Sequence, residues 1–453
     1  MPTTIAIESK NIVVFGLVTP FQHLYLVKTV TDAAGKVLDE RVIRGDVGQD
    51  LTLVTQADVA LATSPDARDG QTLAQRHHTT LDLGGRDPDE VWSLMVQHAL
   101  NIDRANLPYG TGVVGDTGPL DVNSNTTVAS VLHTVGIEFA QNVPVGVLPK
   151  DVPLAGRVGA ILVNDVLVGG EQADTIRGGV GNDRLDGNNG NDRLFGEAGN
   201  DVLIGRAGDD RLDGGIGADV MVGGVGNDLY FVNNRGDRVI EASVSLSAGD
   251  DRVVSSISFN LSARAELAGI ERLTLVGTLD RNGVGNTLAN VLAGNPGDNG
   301  LSGRAGDDKV LGGSGNDHLF GEAGNDVLRG GSGDDTLVGG IGRDILVGDQ
   351  GTDTFVFRSV SESRADSADV VVDFEAEDRI DLQVIDANTL VSGNQAFQFI
   401  GSDPFTSAGQ VRVEQDGSGN TWVEANVNAG LGADFRLLLR DFTGPLTAGD
   451  FEL

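Results

Sequence analysis

From Gly169 to Phe231 the apolar positions return every nine residues. The stretch divides without a gap into GGEQADTIR, GGVGNDRLD, GNNGNDRLF, GEAGNDVLI, GRAGDDRLD, GGIGADVMV and GGVGNDLYF. Position 8 is apolar in every unit: Ile176, Leu185, Leu194, Leu203, Leu212, Met221 and Tyr230. Position 1 is always Gly, which reaches φ > 0 without steric cost, so the first six residues predict a turn. The last three predict a very short strand with one inward side chain. Two units then make one coil of a parallel β-roll with a core of residues such as Leu185, Leu203 and Met221. A single coil cannot bury that core alone, so the coils must stack.

The period lapses from Val232 to Val284, where GDRVIEA, GDDRVVSSISFNL and IERLTLVG predict short strands in irregular coils. It returns at Gly285 as GNTLANVLA, GNPGDNGLS, GRAGDDKVL, GGSGNDHLF, GEAGNDVLR, GGSGDDTLV, GGIGRDILV and GDQGTDTFV. The first two of these carry Asn290 and Asn299 at position 6 and read as a cap. His318 takes a variable position and is expected to be exposed.

Position 6 brings chemistry. It is Asp174, Asp183, Asp192, Asp201, Asp210, Asp219 and Asp228 in the first block, and Asp308, Asp317, Asp326, Asp335, Asp344 and Asp353 in the second. Stacked coils lie about 4.8 Å apart. Two carboxylates at about 5 Å repel by about 3 kcal/mol at an effective dielectric of about 20. Several such pairs rival the net stability of a domain, about 5–15 kcal/mol. A cation between the turns removes the conflict. Carboxylate and carbonyl oxygens suit Ca²⁺ rather than Zn²⁺. Pairing unit n with unit n+2 gives about nine Ca²⁺ in all. The pattern resembles the RTX (repeats-in-toxin) nonapeptide G-G-x-G-x-D-x-U-x, a calcium-binding β-roll motif.

Charge agrees with this picture. The chain of 453 residues has a net charge of −34, of which residues 1–150 carry −7 and the rest −27. Such a balance argues against nucleic acid as a partner. There is no Cys, so neither disulfides nor thiol catalysis enter. MPTTIAIESKNIVVFG lacks a basic segment followed by an apolar one, and predicts no Sec signal peptide. No run approaches eighteen apolar residues, so no membrane span is expected.

Residues 1–160 have a different rhythm and predict an α+β domain. Ile12–Phe15, Leu24–Val30 and Val37–Ile43 read as strands, the last two joined by a turn at Asp32–Gly35. Asp87-Pro88-Asp89-Glu90 is a helix start, with an Asp cap and Pro at the first helical position. Val91, Leu94, Met95 and His98 share one face of that helix. A second helix starts near Ser124, carries Val128, Val131, Leu132 and Val135, and stops at Gly136. His77, His78 and His133 have no partner at metal-ligand spacing and read as surface or packing residues. HExxH and GxSxG are both absent.

Two stretches, Phe21-Gln22-His23-Leu24-Tyr25-Leu26-Val27 and Asn123-Ser124-Asn125-Thr126-Thr127, are together similar to the permuted papain-like hydrolases of the NlpC/P60 and LRAT kind. There a strand His precedes an Asn-Cys-Asn helix start. The resemblance implies Ser124 as nucleophile at a helix N-terminus and His23 as base. The alternative is that Ser124 or Asn123 caps the helix and His23 is an ordinary strand residue. A binding-only, degenerate domain fits the same residues.

After the second block, DTFVF, DVVVDF and DRIDL resemble the C-terminal domain that follows the β-roll in serralysin-type proteases. Further strands are expected at Gln410–Glu414, Trp422–Asn426 and Phe435–Leu439. The ending Gly449-Asp450-Phe451-Glu452-Leu453 is similar to the uncleaved signal of type I secretion, or is an ordinary terminal strand.

The domains expected are therefore 1–160, α+β; 161–231, first roll; 232–284, irregular spacer; 285–356, second roll; and 357–453, a capping and secretion domain. The fold class is mainly β. The favoured function is a secreted, extracellular calcium-binding RTX protein that binds a ligand or associates with a cell surface, exported by type I secretion machinery. A serine hydrolase or acyltransferase using Ser124 and His23 is an alternative. A polysaccharide-modifying accessory protein is another, because similar repeats occur in mannuronan epimerases.

Overall fold

The computed structural model describes residues 3–14, 17–31, 33, 37–47, 53–60, 78–81, 83, 86–104, 132–135, 164–241, 249–430 and 432–453. The chain divides into two units, Met1–Ile240 and Glu241–Leu453.

In the first unit, alternating apolar residues build an antiparallel sheet of β1 (Thr3–Val14), β2 (Leu17–Thr31), β3 (Val37–Val47), β4 (Leu53–Ala60) and β5 (His78–Thr80), in the order β4-β3-β2-β1-β5. The expected hairpin is β2–β3, with Leu26 opposite Ile43. The first strand begins at Thr3, earlier than the expected Ile12. Helix α1 (Pro88–Arg104) starts where the Asp cap puts it. Asp87 Oδ1 accepts the N–H of Asp89 at 2.7 Å and of Glu90 at 3.3 Å, satisfying two of the free donors of the first turn. Val91, Leu94, Met95 and His98 are buried as one face. Of the second expected helix, Leu132–Thr134 are helical and its start near Ser124 lies outside the described residues.

The nine-residue period folds as a parallel β-roll. Each strand pairs with the strand eighteen residues on: Leu203 lies opposite Leu185 on one side and Met221 on the other. Successive units therefore alternate between two sheets. Ile176, Leu185, Leu194, Leu203, Leu212, Met221 and Tyr230 are all fully buried. The same holds in the second unit for Leu319, Leu328, Leu337, Leu346 and Phe355. There the spacer supplies irregular coils, with Asp251–Ser255 parallel to Ile270–Leu275 and Phe259–Asn260 parallel to Asn282–Val284. At its far end Asp369–Val371 pairs with Phe435–Leu439, which continues antiparallel into Thr421–Asn426 and Gln410–Gln415. Phe451–Glu452 forms a short strand beside Ile380–Asp381. Among the described residues no helix is long and apolar enough to cross a membrane.

Candidate metal centre

The position-6 aspartates form ladders. In each, the backbone N–H of one Asp donates to Oδ1 of the Asp eighteen residues on: Asp183 to Asp201 at 2.8 Å, Asp192 to Asp210 at 2.8 Å, Asp201 to Asp219 at 2.9 Å. The second unit repeats this with Asp308 to Asp326, Asp317 to Asp335, Asp326 to Asp344 and Asp335 to Asp353, at 2.7–2.9 Å. One carboxylate oxygen of each residue is thus fixed by the backbone.

The other oxygen is the unusual one. Oδ2 of Asp183, Asp192, Asp201, Asp210, Asp219, Asp308, Asp317, Asp326, Asp335 and Asp344 is buried without a hydrogen-bond partner. In Asp174 the two oxygens exchange roles: Oδ2 accepts the N–H of Gly170 and Oδ1 is left alone. A buried acceptor left unmatched costs about 1–3 kcal/mol, more when charged. Burial answers by pushing the carboxyls up: Asp183 to about 7, Asp192 to about 8, Asp201 to about 6, Asp335 and Asp344 to about 7. The backbone N–H opposes the rise, and the neighbouring carboxylate adds to it at Asp183 and Asp335.

Position 1 explains its glycine here. A Cβ on Gly196 would stand 2.3 Å from Asp201 Oδ2 and 2.6 Å from the carbonyl oxygen of Gly214, and one on Gly321 would meet Asp326 Oδ2 and Gly339 O at 2.3 and 2.4 Å. Carboxylate and carbonyl oxygens converge on a cradle that any side chain would fill. The donor set is all oxygen, which fits Ca²⁺.

Protein groups meet the ladder ends at Asp165, Asp237 and Asp378, whereas Asp369 Oδ2 is buried without a partner. Asp165 stands nine residues before Asp174, and its N–H donates to Asp183 Oδ1 at 2.7 Å. Its own carboxylate is met by His98 Nδ1 at 2.7 Å and Asn101 Nδ2 at 2.9 Å, both from α1. Asp237 accepts the N–H of Asn233 and Asn234 at Oδ2, and Asp378 accepts that of Glu375. Asp369 extends the Asp344 ladder, and burial and the Asp344 charge push it to about 9. Asn290 and Asn299 fill position 6 with amides that donate to carbonyl oxygens of Ile270 and Arg281, so neither leaves a bare carboxylate. Asp165, Asp237, Asp369 and Asp378 were missed because no nonapeptide surrounds them. The short signal Asp-x-apolar marks each one, with Leu167, Val239, Val371 and Ile380 in the core position.

Outside the ladders, side chains bind adjacent coils by diagonal pairs. Glu197 meets Arg177 at 2.9 Å and His133 at 2.7 Å, and Arg206 meets Asp186 at 2.5 and 2.7 Å. Such part-exposed pairs contribute little to stability, because solvent screens them. His318 is exposed, as expected. His23 stands on β2 with its backbone opposite Lys10; Ser124 lies outside the described residues, and so does the geometry of that pair.

Residues 163–194, 195–230, 284–319 and 320–355 match the family of RTX calcium-binding nonapeptide repeats. The two blocks are RTX calcium-binding repeats, and the rolls they form are parallel β-rolls. Among solved structures, the chain is similar to the solution structure of the AlgE6R3 subunit from the Azotobacter vinelandii mannuronan C5-epimerase, at 26% identity over 39% of this chain and 80% of that one, with a TM-score of 0.21. At that score the likeness bears on neither fold nor function. No curated protein matches the chain.

Proposed function

We propose that this is a secreted protein whose rolls fold on Ca²⁺ outside the cell and then act as a binding or cell-surface-associated module. The observation that carries the reading is the row of buried carboxylate oxygens without partners, each against a glycine and, at Asp183, Asp201, Asp210, Asp317 and Asp326, beside a carbonyl oxygen as well. In the metal-free chain each of these is a defect. One apolar side chain per nine residues is little to set against the entropy of ordering the chain. Calcium bound between turns converts the defects into bonds, and its binding free energy becomes folding free energy.

On this reading the ligands are Asp174, Asp183, Asp192, Asp201, Asp210, Asp219 and Asp228 in the first roll and Asp308, Asp317, Asp326, Asp335, Asp344 and Asp353 in the second, holding about nine ions. Low cytosolic calcium leaves the repeats unfolded for export by type I machinery. Millimolar calcium outside lies at the about 10⁻⁴–10⁻³ M affinity of extracellular modules.

The test is a calcium titration of the full chain followed by far-ultraviolet circular dichroism. A cooperative gain of β signal with calcium, poorly reproduced by Mg²⁺, is the expected result. A complete β-roll spectrum in EDTA would overturn the mechanism. Removal of the residues after Val372 should abolish export by a matching type I system, and unchanged export would refute the secretion route.

A further inference from the structure

Outside the repeats, a hairpin in the second unit carries a different arrangement. Strands Thr421–Asn426 and Phe435–Leu439 are antiparallel, with Ala425 opposite Phe435. The turn between them reads Asn426-Val-Asn-Ala-Gly-Leu-Gly-Ala-Asp434, longer than the two to five residues or so that usually close a hairpin. Oxygen donors fall on alternate residues: Asn426, Asn428, Gly430, Gly432 and Asp434. That is the first, third, fifth, seventh and ninth spacing of a calcium loop's ligands, with a backbone carbonyl at the seventh, although Leu431 stands at the sixth position, where such a loop turns at glycine.

The structure brings these groups together. Asn426 is fully buried. Its amide nitrogen lies 2.5 Å from the carbonyl oxygens of both Gly430 and Gly432, shorter than the usual N–H···O range of about 2.7–3.2 Å. Its Oδ1 is buried with no partner. Asn428 Nδ2 lies 2.5 Å from Asp434 Oδ1, and Asn428 Oδ1 accepts the N–H of Gly430 at 2.6 Å. Asp434 Oδ2 is anchored by the N–H of Val427 at 2.9 Å. The backbone oxygens of Asn426 and Val427 are turned away, to the N–H of Gly409 and to Thr389. So the turn holds two carbonyl oxygens against the Asn426 amide nitrogen and a carboxylate against that of Asn428, each closer than hydrogen bonds ordinarily hold them, and it leaves Asn426 Oδ1 buried without a partner.

We propose that this turn is a calcium site separate from the nonapeptide ladders. Rotation of the Asn426 amide places Oδ1 beside the Gly430 and Gly432 carbonyls, and Asn428 and Asp434 complete an all-oxygen set. The two amide nitrogens now stand where the cation's charge would draw these oxygens together. All-oxygen ligation with a single carboxylate selects a hard cation. The twelfth position, where a strong loop supplies a two-oxygen acid, is the buried Leu437. Affinity therefore falls at the weak end, about 10⁻⁴–10⁻³ M.

The experiment counts calcium bound to the full-length chain by equilibrium dialysis and elemental analysis. At about 10 mM free calcium, well above the expected affinity, Asp434→Ala should hold one ion fewer than wild type with the same circular dichroism. Asn426→Asp adds the missing carboxylate. A gain in affinity of about tenfold should raise the count at about 0.1 mM free calcium by about half an ion over wild type. An unchanged count for Asp434→Ala in a folded chain overturns the proposal. Should Asp434→Ala fail to fold, Asn426→Asp decides alone. Tighter binding upholds the site; an unchanged count, or a chain destabilised even at saturating calcium, means that the turn is closed by hydrogen bonds only.

Discussion

His98 Nδ1 sits 2.7 Å from Asp165 Oδ2, the oxygen that is left bare in the aspartates further along the ladder. Asn101 holds the other oxygen at 2.9 Å. At the first rung, a helix side chain does what a cation is proposed to do at the rungs that follow. The same helix covers the exposed edge of strand Val166–Val168, where Gln97 both donates to and accepts from the backbone of Val168. An open strand edge is a template for unwanted pairing, and α1 closes it.

Removing His98 should therefore leave a buried carboxylate with half its partners. Leaving a buried acceptor short of its partner costs about 1–3 kcal/mol, more when it is charged. His98→Ala should lower the melting temperature of the calcium-loaded chain, and Asp165→Asn in the same chain should recover part of the loss. Thermal denaturation in saturating calcium reads both. An unchanged melting temperature in His98→Ala would refute the capping role.

Two adjacent glycines separate ligand space from backbone strain. A Cβ on Gly178 would stand 2.3 Å from Asp183 Oδ2, whereas Gly179, at φ 93°, has nothing within 4 Å of its added Cβ. Gly178→Ala should raise the calcium midpoint about tenfold or more, since ligand geometry and site rigidity set affinity in such sites. Gly179→Ala should cost about 1–2 kcal/mol of stability through its left-handed backbone and leave the midpoint nearly unmoved. Glu197 and Arg206 already occupy the same position of later units at φ 74° and 81°. Calcium titrations of the two variants compare directly.

Asp201→Ala removes both a fixed Oδ1 and a free Oδ2. It takes away the acceptor of the Asp183 N–H and the carboxylate between Asp183 and Asp219. The calcium midpoint of the β signal should rise and the transition should broaden, because adjacent coils lose a shared rung. A midpoint equal to wild type would remove Asp201 from the ligand set.

Acid should partly replace calcium. Burial raises the folded-state carboxyls of Asp183, Asp308 and Asp344 from 3.8 to about 7, and that of Asp192 to about 8. A folded-state value above the unfolded one means that the folded chain binds more protons. The contribution to stability is then full below about pH 4, shrinks as pH rises and is lost by about pH 7 to 8. In EDTA, the β signal should be larger at pH 5 than at pH 8. Equal signals across that window would mean that the metal-free roll does not fold with its carboxylates buried.

Much of this was legible along the chain. The nine-residue spacing gave the alternation of sheets, and Leu185, Leu203 and Met221 stand in the core because only one side chain per unit points inward. Asp87 and Pro88 announced α1. The ladder ends were harder to see. Asp165, Asp237, Asp369 and Asp378 lack the glycine turn, since a terminal rung has no further turn to stack upon. His98 was legible only as a member of a buried helix face. Its partner lies 67 residues away, and no local spacing encodes that contact. The convergence of Asn426 with Asp434 likewise needs the hairpin to close before its alternation means anything.

The eighteen-residue step has a consequence for how such a chain can change length. Loss or gain of two units slides later residues along the rod by whole coils and leaves each on its own sheet. Loss of one unit transfers every later residue of that roll to the opposite sheet. Arg206, which reaches Asp186 across one coil, would face the other side. Insertions and deletions within a roll are therefore quantised in pairs, as a ratchet admits whole teeth and rejects half ones.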